Sequence, residues 1–293
     1  MYKSKSFFER NAFRVFLKLL VFCVRIAPFP QFVLYCCGFF VGSFRMLKDY
    51  KYWGNVSVYA NKIKHGYPKW LFIYTYYIES AYNIIFGILF YEHPRFFQRF
   101  ILIENQIFIK EMTQNTKGAL MLGAHFGPRI TSYILNENGI KPNTFISGAC
   151  KESNYRNEHK SWMTNTAFHH FHQEMKYILR GQEREVIRCF DRNQVVLYYN
   201  DAKMDGIPSA IPVSIHGENS SISLFGIKAA ISNNVPLYYF NTLRINGGKY
   251  QLYIKRLDGF DNALEALGMY ISCLEEDIIR APFSYMYGRH FKG

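Results

Sequence analysis

The sequence lacks the cysteine spacings, repeats and nucleic-acid-binding motifs that would assign it to several common classes. Its six cysteines are scattered and none form a CxxC pair, which favours small core side chains in a reducing compartment over disulfides or a zinc site. No internal repeat or Ser/Pro-rich linker is present. The chain carries 35 basic and 22 acidic residues. Because zinc-finger, helix-turn-helix and RNA-binding motifs are missing, the excess positive charge favours an anionic membrane face over nucleic acid.

Charge is also missing from the 19 residues Ile26–Phe44, which follow a basic and aromatic N-terminus. This length would just span a bilayer as a helix, but Pro28 and Pro30 interrupt it near its start. A membrane span, a monotopic or re-entrant anchor and a buried helical pair all fit, and we favour the anchor. No small-residue cleavage site follows, so a signal peptide is not expected. We therefore predict a membrane-associated helical segment over 1–48 and a cytoplasmic body over 49–293.

Short apolar runs rich in β-forming residues recur along this body and alternate with helical patterns. The runs are Ala119–Leu122, Thr144–Ser147, Val195–Tyr199, Pro236–Leu243 and Tyr250–Ile254. Such alternation predicts an α/β fold whose central sheet is covered by helices on both faces. Gly247 and Gly248 separate the last two runs and indicate a hairpin, so we expect a mixed sheet.

The last helix has the clearest pattern. Apolar residues repeat every three or four positions from Leu264 to Ile278. Asn262 and Glu265 have the spacing of a capping box, and Pro282 marks the end of the helix. We expect an amphipathic helix packed on the sheet.

His125 is the strongest candidate for chemistry. It lies in a Gly-Ala-His-Phe-Gly turn, residues 123–127, directly after the first apolar run. A strand that ends at Gly123 would present the imidazole at the edge of the sheet. Histidine suits a general base because its reference pKa lies near 6.5. Gly127 would let a backbone N–H approach a substrate closely and stabilise an oxyanion.

This turn resembles the signature of the lysophospholipid-acyltransferase-like superfamily, especially the bacterial lipid A secondary acyltransferases. Further resemblances follow in the family's order and extend to the C-terminus. They are Tyr198–Ala202 with Gly206, Pro212–Gly217, Ser220–Gly226, Pro236–Arg244 and Ile279–Lys292. The resemblance implies transfer from the phosphopantetheine thioester of a carrier protein to a hydroxyl of a lipid A-like acceptor at the inner membrane. It implies no metal and no other cofactor.

One departure from the family concerns the carboxylate that orients the histidine. The family has Asp or Glu five positions after the histidine, where this chain has Ile130. Glu104, isolated among apolar residues, is our preferred replacement, since such a carboxylate is costly unless it is paired. Alternatively, the pair has moved to His169 and Glu174, which have the family spacing. A third alternative is a catalytically inactive lipid-binding protein that keeps the fold.

Several polar residues are candidates for binding the substrate. They are Arg129, Arg156, Arg180 and Arg244, whose guanidinium groups suit phosphates. Asp201 is added because it occupies the family's Asp position at the end of a strand. Histidines 169, 170 and 172 form a patch without a second ligand cluster, so we interpret it as a helix face and not as a metal site.

Large aromatic residues near the motif regions bear on the size of the donor. They are Tyr198, Tyr199, Tyr238, Tyr239 and Phe240. Alternate residues of a strand point to the same face, so some of these rings would shorten an acyl tunnel. This favours a short or aminoacyl donor, as in the branch of the superfamily that transfers glycyl groups to lipid A. That branch modifies lipopolysaccharide and gives resistance to antimicrobial peptides. A long-chain acyltransferase is the alternative.

Overall fold

The structure, a computed structural model, is a mixed α/β fold built on one seven-stranded sheet and a separate two-stranded hairpin. It describes residues 19–20, 22–27, 30–114, 117–128, 130–146, 177–179, 181–201, 209–245 and 248–291. The strands are β1 (Ile101–Glu104), β2 (Ala119–Gly123), β3 (Asn143–Ile146), β4 (Tyr177–Leu179), β5 (Val195–Tyr199), β6 (Ala210–Ile215), β7 (Glu218–Ser223), β8 (Leu237–Ile245) and β9 (Lys249–Leu257).

Within the described residues, helices precede the sheet, connect its strands and follow the last strand. They are α1 (Pro30–Lys48), α2 (Trp53–Lys62), α3 (Lys69–Glu92), α4 (Pro94–Phe97), α5 (Gln106–Gln114), α6 (Thr131–Glu137), α7 (Glu183–Asp191), α8 (Phe225–Ser232) and α9 (Ala263–Arg280). Short 3₁₀ turns follow α9, at Pro282–Ser284 and Met286–His290.

The sheet has the strand order β1-β9-β8-β2-β5-β3-β4. Strands β8, β2, β5, β3 and β4 run parallel, so their carboxyl ends lie at one edge. Strand β9 turns back antiparallel to β8, and β1 runs parallel to β9. The predicted mixed sheet and the β8–β9 hairpin are therefore confirmed. All five predicted strands are present, and their ends match the prediction or differ from it by at most three residues.

Alternate residues of the central strands fill two cores, one on each face of the sheet. Leu122, Tyr198 and Tyr239 point to the core that α8 and α9 cover. Met121 and Phe240 point to the other core, which α3 and α6 cover. Burial on both faces explains why these strands are continuously apolar in sequence, as expected for parallel strands between two helical layers.

Residues 30–44 of the charge-free segment lie in α1, which packs lengthwise against α3. Gly38 and Gly42 lie on the buried side of α1. A Cβ at Gly42 would stand only 2.6 Å from Ile78 Cα, and one at Gly38 would stand 3.1 Å from Tyr82 Cβ. These glycines let the two helix backbones approach closely. The body and its apolar N-terminal helix are thus in direct contact, while the predicted boundary at residue 48 stays a prediction.

Helix α9 begins and ends as its sequence predicts. The Asn262 side chain accepts hydrogen bonds from the N–H groups of Leu264 and Glu265, and Glu265 accepts one from Asp261 N–H. The helix ends at Arg280, just before Pro282. Leu264 differs from the prediction, since it is exposed and not part of the buried stripe. It lies in the first turn of the helix.

Candidate functional site at the carboxyl edge of the sheet

His125 lies in the turn that follows β2, at the edge where the parallel strands end. Asp201 lies two residues past the end of β5, the strand that pairs with β2. Adjacent strands are about 4.8 Å apart, so residues that follow them at the same edge come within contact distance. The Asp201 carboxylate accepts a bond from the His125 ring, with 2.5 Å between Oδ1 and Nδ1.

The same carboxylate also holds the backbone of the histidine. Asp201 Oδ2 accepts the His125 backbone N–H at 2.8 Å. An ionised carboxylate only accepts hydrogen bonds, so Nδ1 carries the proton and Nε2 is the nitrogen left to exchange protons with a substrate. Ring and backbone are thus fixed by one side chain, which is fully buried, whereas the histidine side chain keeps 11% of its surface exposed.

Two tyrosine rings flank the imidazole. Tyr287 meets it edge-on, with ring centroids 4.9 Å apart and an interplanar angle of 85°. Tyr199 lies at 5.1 Å on a tilted plane. Together with the Asp201 bond, these contacts restrict rotation of the ring, which is the arrangement that a positioned general base requires.

The backbone N–H groups of the turn are already in use, contrary to the expectation for Gly127. Gly127 N–H donates to Ser284 O at 3.3 Å, and Phe126 N–H donates to Ala124 O. Ala124 N–H donates to the Asn241 side chain at 3.0 Å. With the His125 N–H held by Asp201, four consecutive donors are committed internally. The idea that Gly127 supplies an oxyanion donor is therefore wrong for this conformation.

The glycines of the turn have a steric role instead. Gly127 has a φ of +51°, and a Cβ there would stand 2.4 Å from the Thr242 carbonyl oxygen. A Cβ on Gly123 would stand within 2.4–2.8 Å of the Phe240 ring. Any side chain at either position would displace β8 or the turn, so both glycines set the distance between His125 and its neighbours.

The C-terminal segment forms a wall of this site. Phe126 and Tyr285 form an isolated antiparallel bridge, and Met286 N–H donates to the His125 carbonyl at 2.9 Å. Tyr76 on α3 donates to the Met286 carbonyl at 3.0 Å. The segment whose sequence carried the most extended family resemblance is thus in direct backbone contact with the histidine.

Glu104, the predicted partner of His125, lies elsewhere. It ends β1, which is three strand positions from β2, a separation of about 14 Å at ~4.8 Å per step. Its carboxylate accepts instead from the Gln251 side chain. The pairing of Glu104 with His125 is therefore wrong, because the sheet order puts β9 and β8 between them. Asp201, which we expected to bind substrate, has the orienting position.

Arg244 also has a partner inside the protein. It pairs with Glu79 of α3, and its guanidinium lies 3.8 Å from the centroid of the Tyr82 ring. Arg244 therefore joins α3 to β8, and its charge is paired with the Glu79 carboxylate and not free to bind a phosphate.

Arg129, Arg156 and Arg180 lie outside the described residues, as does the pair His169 and Glu174. Within the described ranges, no group of three His, Cys, Asp or Glu side chains is suited to a metal ion.

Comparison with known proteins adds no assignment. No protein-family model matches the chain, and a search of curated proteins finds no significant match. The fold and the His–Asp pair therefore define only a class: an α/β protein with a dyad at the carboxyl edge of its sheet.

Sequence reasoning missed the amide and carboxyl groups behind the turn. Asn241 and Asp277 are buried and hydrogen-bonded to each other, and only their tertiary positions reveal a link to the histidine. The role of Asp201 was within reach, because Asp201 and His125 each follow an apolar run, and adjacent parallel strands bring such residues together. The sequence alone does not show that β2 and β5 are neighbouring strands.

Proposed function

We propose that this chain is a membrane-surface transferase. It moves a short acyl or aminoacyl group, such as glycyl, from a carrier-protein thioester to a hydroxyl of a lipid A-like acceptor on the cytoplasmic face of a bacterial inner membrane. The observation that carries the reaction type is the His125–Asp201 pair at the carboxyl edge of the sheet. The substrate class rests on the sequence resemblance of residues 123–127 and the later segments.

The pair has the geometry for general-base catalysis of acyl transfer. His125 Nε2 takes the proton of the acceptor hydroxyl while Asp201 holds Nδ1–H and stabilises the imidazolium that forms. The alkoxide oxygen attacks the thioester carbonyl to give a tetrahedral intermediate. That intermediate collapses to the new ester, and the departing thiolate takes the proton back from Nε2. Because the turn's own N–H groups are committed, the oxyanion must be stabilised by groups outside residues 124–127.

The second supporting observation concerns donor size. Of the five aromatic residues considered, Tyr199 contacts the imidazole, and Phe240 packs edge-on against Tyr199 with ring centroids 5.4 Å apart. Tyr239 points to the opposite core and bonds Asp277. Two rings therefore fill the space beside the base on the face of β2 that carries Met121, which favours a short donor. Replacing Phe240 by Leu should increase the rate with medium-chain donors relative to a glycyl donor, and an unchanged preference would remove this argument.

Membrane association is supported by the outer face of α1. Among the described residues, α1 is the one helix long and apolar enough to cross a bilayer. Large apolar side chains cover its outer face, where Phe40 is 72% and Phe44 69% exposed. Trp70, at the start of α3, is exposed as well. An apolar face on a chain of net charge +13 suits an anionic bilayer surface.

The packing of α1 favours a helix lying in the interface over one that spans the bilayer. Its glycine stripe is packed against α3, and α3 carries Tyr77 and Phe86 into the cores under the sheet. A spanning α1 would either pull α3 into the hydrocarbon layer or break this contact. We therefore expect α1 to insert its outer face only to the depth of its side chains.

Vesicle binding tests the membrane part separately from catalysis. Phe40→Ser combined with Phe44→Ser should weaken binding to phosphatidylglycerol-containing vesicles by at least about 100-fold, since each buried Phe contributes roughly 1.5–3 kcal/mol. Ile107→Ser on α5 is the matched control, because Ile107 is 70% exposed but lies outside α1. Equal effects of the two changes would contradict a specific role of α1.

The reaction is tested with His125→Ala in cells, followed by mass spectrometry of the lipid acceptor. In this variant, we expect the lipid acceptor to lack the increase in mass that a transferred glycyl group gives. A lost fatty-acyl increment would replace the short donor by the long-chain alternative. An unchanged lipid profile would remove the catalytic proposal.

A further inference from the structure

A buried polar network lies directly behind the catalytic turn, and the proposed reaction does not use it. Asp277, in the last turns of α9, accepts from Tyr239 Oη at 2.6 Å and from Asn241 Nδ2 at 2.8 Å. Asn241 Oδ1 in turn accepts the Ala124 N–H at 3.0 Å. All three side chains are buried. A buried acid is costly unless hydrogen bonds satisfy it, and Tyr239 and Asn241 supply those bonds to Asp277.

The network fixes the orientation of the Asn241 amide. Asp277 and the Tyr239 hydroxyl both lie on the nitrogen side of the amide, and the hydroxyl donates its proton to Asp277. The Ala124 N–H lies on the oxygen side and can only donate. A flipped amide would face two acceptors with its oxygen and a donor with its nitrogen. The amide therefore has a single satisfied orientation, and Asp277 enforces it.

We propose that Asn241 and Asp277 are positioning residues for His125, acting through the backbone of Ala124. Two successive N–H groups of the turn are then held by two different side chains: Ala124 by Asn241, and His125 by Asp201. The Asn241 bond sets where the chain leaves β2, and the Asp201 bond sets how the next residue aims its ring. This inference deepens the proposed function but concerns the geometry of the dyad, which is measurable without any substrate.

The test follows the His125 Nδ1–H proton by NMR of the full-length, histidine-labelled protein in detergent micelles, assigned by its loss in His125→Gln. Asn241→Leu and Asp277→Leu should each shift this resonance and broaden it through faster solvent exchange. Asp277→Asn should leave it close to wild type, because the amide oxygen still accepts from Asn241. Tyr239→Phe is the matched control: it removes a hydroxyl from the network but leaves Asn241 bonded to both Asp277 and Ala124.

If Asn241→Leu fails to fold, Asn241→Ser replaces it, because serine is too short to reach Ala124. In a transferase assay, Asn241→Ser should lower kcat by ~10- to 100-fold with little change in KM, as expected when a base is displaced by a fraction of an ångström. An unchanged His125 resonance in folded Asn241 and Asp277 variants would overturn the inference. A shifted resonance in a protein without transferase activity would uphold the inference and reject the proposed function.

Discussion

Replacing Asp201 by Asn is the sharpest test of the dyad, because it changes one atom of a fully buried side chain. In the native site, Oδ1 accepts from the His125 ring and Oδ2 accepts from the His125 backbone. Asparagine has one oxygen acceptor and one NH₂ donor. The backbone N–H can only donate, so the amide oxygen has to stay with it. The NH₂ group then faces Nδ1, which has to become an acceptor.

The consequence is the wrong tautomer. With Nδ1 unprotonated, the proton of a neutral imidazole is on Nε2, the nitrogen that has to accept the substrate proton. The same carboxylate-to-amide change in the Ser-His-Asp triad of serine proteases lowers kcat by about 10⁴. We expect a loss of ~10³- to 10⁴-fold here, equivalent to about 4–5.5 kcal/mol of barrier. Stability should fall by only about 1.5–3 kcal/mol, the contribution of one charged hydrogen bond.

The assay measures the proposed transfer from a carrier thioester to a lipid A-like acceptor, with thermal unfolding as a check on folding. Glu104→Gln is the control, since Glu104 is also an acid at a strand end but bonds Gln251 and lies three strands away. It should keep near-wild-type activity. If folded Asp201→Asn retained more than about a tenth of the wild-type rate while His125→Ala was inactive, the orienting role of Asp201 would be refuted.

Three further changes test the supports of the site by denaturant unfolding. Gly127→Ala should lower the free energy of unfolding by more than ~1–2 kcal/mol, because alanine is strained at φ +51° and its Cβ would meet the Thr242 carbonyl. An unchanged free energy of unfolding would contradict the turn geometry. Glu79→Gln should lower the free energy of unfolding by ~1.5–3 kcal/mol, because it removes the charged partner of the half-buried Arg244. Glu79→Leu combined with Arg244→Leu should recover much of that loss. Burial raises the pKa of Asp277 in the folded state above its ordinary 3.8. Between the unfolded and the folded pKa, the folded state holds more protons than the unfolded state, so wild-type stability falls as the pH rises through this range. The stability of Asp277→Asn relative to wild type should therefore increase from about pH 4 upward, and a pH-independent difference would contradict the shift.

The sequence predicted the sheet well because parallel strands between two helical layers must be apolar on both faces. Val195–Tyr199 matches β5 residue for residue, and the Asn262 cap of α9 was visible from local spacing alone. The hairpin β6–β7 was not identified as strands. Its alternating partly buried pattern includes Ser220 and Ser221, and such polar strands give a weak signal in sequence.

The site was harder to predict than the fold because its geometry depends on strand order. His125 follows from a local pattern, whereas its partner depends on which strand pairs with β2. From sequence, Glu104 and Asp201 are both acids at the ends of apolar runs. Only the order β1-β9-β8-β2-β5 separates them, and no local pattern encodes that order. The same reason hid Asn241 and Asp277, whose roles exist only where β8, α9 and the turn meet.

Ile130 carries no acid, yet the histidine is not without a carboxylate, because the segment that follows the neighbouring strand supplies one. Ile130 is fully buried in the core that α3 and α6 cover, and it directly precedes α6. A carboxylate at this position would enter an apolar core at a cost of several kcal/mol, while Nδ1 already faces Asp201. We therefore expect Ile130→Glu to destabilise the protein and to give no recovery of activity in the Asp201→Asn background. Recovery in that double variant, measured in the same transfer assay, would show that a carboxylate at position 130 can orient His125 and that Asp201 is not the committed partner.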